Sequence, residues 1–321
     1  MHALIATGDP DNPVQLGDVD EPNPASDQVV IQVEAFSINR GETFLLQAPR
    51  PNWRPGKDVA GRVIRAAANG DGPGVGTRVI AHAEHSGWAE RVAVPLGGVA
   101  VLPDTVPFDV AAALPLAGLT ALRLLRVAGP IASRRILLTG ASGGVGHYLV
   151  ELAARQGAQV TAVTSSPERG ARLLELGAAQ VVHEITDADS PFDVVMESVG
   201  GDQLAAALRA TRAGGLVIWF GQASGERPLL DFFDWDIPLG VSLHRFGYQP
   251  EGASDATDLA TLIRLVERRD LHPEIGLIHD WTHANDALQA LIHRRVRGNA
   301  VLTITNEAGR QDAARELSAT R

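Results

Sequence analysis

The feature of this sequence that most constrains its fold is a glycine cluster near the middle of the chain. Residues 139–146 (TGASGGVG) follow the apolar run 136–138 and precede a stretch whose apolar residues recur at helical spacing. In a strand–turn–helix unit of this kind, the free N–H groups at the start of the helix can bind a pyrophosphate. The motif lacks its usual first glycine, but the context of strand, turn and helix is retained. The cluster predicts a dinucleotide-binding turn formed by Ala141, Ser142, Gly143, Gly144, Val145 and Gly146.

The two halves of the chain differ in pattern. From residue 135 onward, short β-branched runs alternate with amphipathic helical stretches, which predicts a parallel, doubly wound sheet. The first hundred residues contain short predicted strands, such as 29–33, 61–64 and 78–81, separated by Gly, Pro and Asp. Between the halves, Pro115 is expected to separate two helices, the second beginning at Leu119. The predicted fold class is α/β, a Rossmann domain with a second, mostly β domain.

The end of the second strand of the parallel sheet indicates which dinucleotide is bound. NAD-binding proteins usually carry Asp or Glu there, about 20 residues after the glycine turn, to bind the ribose 2′-hydroxyl. Here that strand, residues 160–163, is followed by Ser165, Ser166 and Arg169. Two hydroxyls, a helix N-terminus capped by Ser166 and a guanidinium suit a 2′-phosphate. The sequence favours NADPH over NADH; the alternative is an ordinary capped helix with a solvated arginine.

Composition argues against several other classes of protein. The 321 residues include 28 Lys and Arg against 38 Asp and Glu, a formal net charge of −10, so neither nucleic acid nor an anionic membrane surface is an expected partner. The chain has no cysteine, which excludes disulfides, thiolate zinc sites and thiol catalysis. Without a recognisable signal peptide or a long apolar run, a cytoplasmic location is the expectation.

Histidines provide two further candidate sites. His82, Glu84 and His85 lie close in sequence, but their spacing differs from that of a zinc-binding helix, so we expect a solvated loop and predict no metal site. His244 follows an apolar strand and is a candidate proton donor, because imidazole titrates near neutral pH.

Several motifs, taken together, resemble the quinone oxidoreductase branch of the medium-chain dehydrogenase/reductase superfamily. The resemblance covers nearly the whole chain and rests on the order and spacing of the motifs. Besides the glycine turn, they are the stretches 37–42 (SINRGE), 55–61 (PGKDVAG), 116–121 (LAGLTA), 197–201 (ESVGG), 220–225 (FGQASG) and 298–302 (GNAVL).

This resemblance implies a domain organisation and a set of site residues. A GroES-like substrate domain is built from residues 1–115 and 251–321, and a Rossmann NADP-binding domain occupies 116–250. The family likeness implies a homodimer joined through the nucleotide-binding domains. Asn39 and Thr120 are expected near the nicotinamide, where they could hydrogen-bond its amide or the substrate oxygen; a turn residue and a helix-start hydroxyl are the alternatives. The remaining expected cofactor contacts are Val199, Phe220, Gly221, Ser224 and Asn299.

The departures from the superfamily bear on the chemistry. Its zinc alcohol dehydrogenases carry a Cys and a His–Glu pair at the catalytic metal, and residues 39–42 and 57–58 fill those positions here. Without a Lewis acid a simple ketone is hard to polarise, whereas a quinone or enone takes up charge in its own π-system. The resemblance therefore implies a zinc-free, NADPH-dependent oxidoreductase that reduces quinones or enone-type double bonds. Two alternatives stay open: a biosynthetic tailoring enzyme (enoyl reductase or cyclase) and a non-catalytic NADPH-binding sensor or structural protein.

Overall fold

The computed structural model describes residues 1–231, 233–248 and 254–304. These residues form two compact units. The first, called the β unit, consists of residues 1–116, 254–268 and 275–304. The second, called the Rossmann unit, consists of residues 117–231, 233–248 and 269–274. No helix among the described residues is both long and apolar enough to span a membrane.

The described residues contain fifteen strands and eight α-helices. The strands are β1 (His2–Ala6), β2 (Val14–Asp18), β3 (Gln28–Ile38), β4 (Asp58–Arg65), β5 (Arg78–His82), β6 (Arg91–Pro95), β7 (Val99–Val101), β8 (Arg135–Leu138), β9 (Gln159–Val163), β10 (Gln180–Val182), β11 (Phe192–Glu197), β12 (Thr211–Trp219), β13 (Ser242–Arg245), β14 (Ile275–Asp280) and β15 (Asn299–Thr303). The helices are α1 (Arg40–Gln47), α2 (Phe108–Ala112), α3 (Pro115–Ala128), α4 (Gly144–Arg155), α5 (Pro167–Glu175), α6 (Asp202–Ala210), α7 (Asp255–Glu267) and α8 (Ala284–Ile292).

Strand β3 is the centre of the β unit. It pairs along one side with β4, and along the other with β6 in its first half and β15 in its second half. The seven-stranded sheet has the order β14-β15-β3-β4-β5-β7 with β6 added beside β3, and all pairs except β14–β15 are antiparallel. Strands β1 and β2 form a separate hairpin-like pair. The predicted strands and the predicted mostly β domain are confirmed.

The core of the β unit lies beneath β3. Val29, Ile31 and Val33, which point to one face of the strand, are fully buried, and Val30 on the other face is also buried. Phe36 stacks on Trp88 with ring centroids 5.7 Å apart, and both rings are buried. The Trp88 indole donates a hydrogen bond to the backbone oxygen of Ser37 at 3.0 Å, so this large side chain is satisfied in the interior.

The Rossmann unit has the doubly wound topology that the alternating pattern predicts. Its six strands are all parallel, in the order β10-β9-β8-β11-β12-β13. Strand order reverses between β8 and β11, and ligands of such sheets bind at the carboxyl ends of the strands beside this switch point. Gly157 and Gly177 follow α4 and α5 with φ of +83° and +102°, as glycines that end helices do. The predicted fold class is confirmed.

A short segment, residues 269–274, belongs to the Rossmann unit although it follows α7 of the β unit. Polar contacts explain this assignment. His272 Nδ1 lies 2.7 Å from Glu151 Oε1 on α4, and Arg172 Nε on α5 lies 3.1 Å from Glu274 Oε2. The Glu151 side chain is 5% exposed, so its pairing satisfies a carboxylate that would otherwise be costly to bury.

Two helices begin where the sequence pattern did not indicate. Pro115 does separate two helices, but α3 begins at Pro115 itself instead of at Leu119, because proline is favoured in the first turn of a helix and has no N–H to leave unpaired. Helix α1 was not anticipated at all. It spans only eight residues, and polar residues occupy its first turn, so its apolar periodicity is short.

We predict that Phe36→Ala lowers the free energy of unfolding of the β unit by about 3–5 kcal/mol, because it removes a fully buried ring and leaves a cavity against Trp88. Urea denaturation followed by circular dichroism measures this. Phe44→Ala is the matched control, since Phe44 on α1 is 38% exposed and its loss should cost less than about 1 kcal/mol. Equal losses for the two variants would contradict the assignment of Phe36 to the core.

Candidate functional site

The glycine turn of the Rossmann unit lies at the end of β8, beside the switch point of the sheet. Gly140 has φ of +61°, and Gly143 is the N-cap of α4 in an extended conformation. A Cβ added at Gly146 would lie 2.2 Å from the backbone oxygen of Ala141, so the first turn of α4 can approach the turn this closely only with glycine there. The first N–H groups of α4 have no acceptor within their own helix, which equips this end to bind an anion.

The predicted 2′-phosphate residues lie directly beside this turn. Arg169, in the first turn of α5, donates from Nε to the Ser142 hydroxyl at 2.9 Å, although the two residues are 27 positions apart. Ser165 is exposed and Ser166 is half-buried. Ser166 is the N-cap of α5 with Pro167 at the first helical position, as predicted, but its side chain does not make the capping hydrogen bond. It bonds instead to Glu168 and thereby lowers the pKa of that exposed carboxyl.

The loops after β11 and β12 are brought together around a buried carboxylate. Glu197, the last residue of β11, accepts from the backbone N–H of Val199 at 2.6 Å and of Gly200 at 3.0 Å, and from the Thr139 hydroxyl at 3.2 Å. Burial raises the pKa of Glu197, and these donors act against that rise. Ser224, after β12, donates its hydroxyl to the backbone oxygen of Val199 at 2.7 Å.

The structure thus places four predicted cofactor residues, Val199, Phe220, Gly221 and Ser224, in two loops that contact each other. The backbone N–H of Phe220 bonds to the oxygen of Glu197 at 2.9 Å, and a Cβ on Gly221 would lie 2.9 Å from the Ser198 oxygen. The organising role of Glu197 was missed at the sequence level. A carboxylate at the end of an apolar strand and directly before a Ser–Val–Gly–Gly turn was the available signal.

Asn39 of the β unit lies in a second polar cluster. It is the N-cap of α1, and its side-chain Nδ2 donates to Asp58 Oδ2 at 2.7 Å and to Glu42 Oε2 at 3.4 Å. Asp58 also accepts from the Ser37 hydroxyl at 2.6 Å and from the backbone N–H of Leu116 at 2.9 Å. Asn39 itself is half-buried, whereas both carboxylates are almost completely buried.

Burial dominates the electrostatics of these two carboxylates. It raises the pKa of Glu42 to about 7, with a further rise from the negative charge of Asp58 and an opposing effect of the hydrogen bonds from Asn39 and Gly56. Burial also raises the pKa of Asp58, against the influence of His82 and of the hydrogen bonds from Asn39 and Ser37. Because both pKa values are raised, Glu42 and Asp58 together can retain a proton near neutral pH.

The register of the sheet aligns Ser37, Asp58 and His82 directly opposite one another on β3, β4 and β5. The expectation of a solvated loop is right for the exposed Glu84 and His85 but wrong for His82, which is 5% exposed. His82 closes β5, and its Nδ1 lies 2.8 Å from Oδ2 of Asp255 at the start of α7. The pairing satisfies an imidazole nitrogen in the interior, which the local sequence does not reveal.

The remaining predicted residues are dispersed over the two units. Thr120 lies in α3 of the Rossmann unit and is 7% exposed. His244 lies on β13, at the edge of the parallel sheet, with an exposed side chain. Asn299 is the first residue of β15 in the β unit and is 5% exposed. Within the described part of the chain, no group of three or more His, Asp and Glu side chains is arranged to hold a metal ion.

A parallel doubly wound unit with a glycine turn at its switch point, followed and preceded in the chain by parts of one β unit, defines a dehydrogenase/reductase of the medium-chain type. Comparison with known proteins agrees. Residues 144–240 match the family described as zinc-binding dehydrogenase. A probable quinone oxidoreductase of Schizosaccharomyces pombe is 28% identical over an alignment of 313 residues that covers 91% of this chain and 94% of that protein. The quinone oxidoreductase of Rattus norvegicus is 32% identical over an alignment of 224 residues that covers 64% of this chain and 67% of that protein.

Among solved structures, a mycobacterial protein complexed with NADPH matches with a TM-score of 0.85 and 26% identity, over 94% of this chain and 99% of that one. The chain belongs to the quinone oxidoreductase branch of the medium-chain dehydrogenase/reductase superfamily. It is accordingly a quinone oxidoreductase-like enzyme.

Glu42 makes a testable contribution to the pH dependence of stability. Its pKa is 4.5 in its ordinary state and about 7 in the folded protein, so between these values the folded chain binds a proton that the unfolded chain has released. The free energy of unfolding therefore falls as the pH rises through this window, by about 3 kcal/mol for this group. We expect Glu42→Gln to remove this part of the slope, measured by urea denaturation at a series of pH values.

Glu34→Gln is the control for this measurement. Glu34 lies on β3, in the same unit, and is only half-buried. Its removal should leave the slope in place. A slope that Glu42→Gln does not change would show that Glu42 ionises normally in the folded protein.

Proposed function

We propose that this enzyme is an NADPH-dependent reductase of quinones or enone-type double bonds that works without zinc. The observation that carries the proposal is the contact between Arg169 and Ser142, which holds a guanidinium at the glycine turn where the pyrophosphate of a dinucleotide would bind. A positive charge at this point, with no carboxylate ending β9, suits the additional phosphate of NADPH. The NADPH bound by the structurally similar mycobacterial protein supports this choice.

The residues at the turn fit such a coenzyme. A Cβ added at Gly143 would meet only the Gly140 oxygen, at 3.3 Å, among the described atoms, so a ligand can approach the backbone here. Ala141, Ser142, Gly144, Val145 and Gly146 would present the turn and the start of α4 to the pyrophosphate. Ser165, Ser166 and Arg169 would hold the 2′-phosphate, and Val199, Phe220, Gly221, Ser224 and Asn299 would contact the rest of the coenzyme.

When bound, NADPH would supply a hydride to an electrophilic carbon of the acceptor, and a proton taken up afterwards completes the two-electron reduction. The protein would contribute position and electrostatics. We propose that Asn39 and Thr120 hydrogen-bond the nicotinamide amide or the substrate oxygen, so that developing negative charge on that oxygen is stabilised. Water would deliver the proton, because His244, the other predicted donor, lies on β13, the edge strand that a dimer joined through the Rossmann units would cover.

Zinc independence is proposed from the donor set. The chain has no cysteine, and Asn39 and Lys57 stand in the stretches that carry metal ligands in the zinc enzymes of the superfamily. Asp58 already accepts three hydrogen bonds from Ser37, Asn39 and Leu116, which leaves it poorly placed to serve as a metal ligand. Quinones and enones are suited to this arrangement because they need no Lewis acid.

Steady-state oxidation of NADPH with a panel of quinones, enones and simple ketones, together with reduction of NADP⁺ by simple alcohols, tests the proposal. We expect turnover with the first two classes and none with the others, unchanged after treatment with a chelator. A protein that binds NADPH tightly but turns over no acceptor would indicate a sensor. Stoichiometric zinc that is required for activity would contradict zinc independence.

The variant Arg169→Glu should weaken NADPH binding much more than NADH binding, by about tenfold or more in the ratio of dissociation constants, because only NADPH carries the 2′-phosphate. Fluorescence titration of both coenzymes measures the ratio. Arg65→Glu, on the exposed end of β4, makes the same charge change and should leave the ratio unaltered. Equal losses for both coenzymes in Arg169→Glu would refute the assignment.

We also propose that the enzyme is a homodimer joined through the Rossmann units. All four residues of β13 are exposed, and among the described residues this strand pairs only with β12, so its outer edge is available for pairing. Large apolar side chains before β13 are exposed by 84% or more: Leu229, Trp235 and Leu239. An exposed edge with apolar neighbours can be covered by the same surface of a second copy around a two-fold axis.

The dimer proposal predicts that Leu243→Asp produces a monomer, since a charge on β13 would be buried against its counterpart. Light scattering after size-exclusion chromatography measures the mass. Ile64→Asp is the matched control, because Ile64 of the β unit is 43% exposed and Leu243 is 42% exposed. A wild-type monomer, or an equal effect of both variants, would contradict the proposed interface.

A further inference from the structure

The β unit contains two buried carboxylates that accept hydrogen bonds from the same side chain. Glu42 and Asp58 are 1% and 0% exposed, and both accept from the Nδ2 group of Asn39. A buried carboxylate is costly unless several donors satisfy it, and two of them close together are costlier still. The cost of burying this pair calls for a functional explanation.

The amide of Asn39 is oriented by these carboxylates. The Nδ2 group of Asn39 carries two hydrogens, so it can donate one to Asp58 at 2.7 Å and the other to Glu42 at 3.4 Å. An ionised carboxylate can only accept, so it selects the nitrogen and not the oxygen of the carboxamide. While both acids are ionised, the orientation of the carboxamide is therefore determined, with Nδ2 facing the interior.

Glu42 is the member of the pair whose protonation disturbs this orientation. Its Oε1 accepts from the backbone N–H of Gly56 at 3.0 Å, and its Oε2 accepts from the backbone N–H of Asn39 at 3.0 Å. Oε2 also accepts from Asn39 Nδ2 at 3.4 Å, so a proton on Oε2 would displace one of its two donors from Asn39. A proton on Oε1 would leave its donor in place, but the loss of charge would weaken the hydrogen bonds from both Asn39 and Gly56.

The other charged groups around the pair set its protonation. Lys57 immediately precedes β4 and favours the ionised form of Glu42. His82 on β5 lies opposite Asp58 and favours the ionised form of that residue, and His82 is itself paired with Asp255 at the start of α7. The negative charges of Glu42 and Asp58 act against each other.

We propose that Glu42 and Asp58 are positioning residues for Asn39, and that uptake of a proton by Glu42 loosens the carboxamide and slows hydride transfer. This inference rests on the proposed function, in which Asn39 contacts the nicotinamide or the substrate oxygen. It adds a built-in pH control to that function. Activity rises with pH as Glu42 loses its proton, with a midpoint near the value of about 7 that burial gives this group.

The first test observes Asn39 without any turnover. The chain contains eight asparagines, so labelling with ¹⁵N-asparagine gives eight pairs of side-chain amide signals. The pair from Asn39 is identified by its absence in Asn39→Ser. In the wild-type enzyme we expect this pair to shift between about pH 5.5 and 8.5 with a midpoint near neutrality. In Glu42→Gln the shift should vanish, and in the control Glu34→Gln it should remain.

The second test measures kcat and KM against pH with NADPH and 1,4-benzoquinone. We expect kcat of the wild-type enzyme and of Glu34→Gln to fall severalfold below the midpoint, with little change in KM for NADPH. Glu42→Gln should show the low value at every pH, because a glutamine at this position carries an N–H₂ group that opposes the same backbone donors. Thermal melting confirms that each variant is folded.

The outcomes separate the two proposals. Turnover without any titration of the Asn39 signals, or with the same titration in Glu42→Gln, refutes the positioning role and leaves the proposed function standing. A titration of Asn39 through Glu42 in a protein that oxidises no NADPH refutes the proposed function and, with it, the control of hydride transfer. The wild-type titration needs no variant at position 42, so an unfolded Glu42→Gln protein does not prevent refutation.

Discussion

The close approach of α4 to the turn before it is the constraint on which the Rossmann unit depends. Only a residue without a Cβ can stand at position 146, because the Ala141 oxygen occupies the space where that atom would be. This contact brings the unpaired N–H groups of the helix to the carboxyl edge of the sheet, where strand order reverses. Glu197 holds the next loop against the same edge through two backbone N–H groups and Thr139. In the proposed function, an anion bound at this edge would therefore meet backbone N–H groups, with Arg169 at the border.

In the β unit, the main constraint is the burial of charged side chains. Ser37, Asp58 and His82 are aligned across three strands, and Asp255 and Asn39 complete the set of partners. Such a cluster contributes little to stability, since desolvation of each carboxylate offsets much of what its hydrogen bonds supply. The physical effect of the cluster is to orient a side chain. Apolar packing beneath β3 stabilises the sheet, whereas the polar cluster determines which way one half-buried carboxamide points.

The sequence allowed much of the fold to be predicted, but less of the side-chain organisation. Strands such as β3, β8 and β9 were recognisable because apolar and β-branched residues recur with the periods of buried strands. Ser142 and Arg169 were each predicted to contact the coenzyme, and the structure places them within hydrogen-bond distance of each other. Helix α1 and the true start of α3 were not found, because capping and the first-turn preference of proline outweigh periodicity in short segments. His82 was misjudged, because its partner Asp255 is 173 residues away.

What the sequence by itself determined is the class of fold and the position of the glycine turn, because both depend on short-range patterns: the period of apolar residues, and glycines where the backbone must be free of a Cβ. What only the tertiary structure decided is which polar groups face one another. The contact of Asn39 with Asp58, that of Glu197 with Thr139 and that of the buried His82 with Asp255 join residues that are distant in sequence. Only the tertiary fold brings such residues together, and the raised pKa of a carboxyl follows from burial that no local pattern encodes.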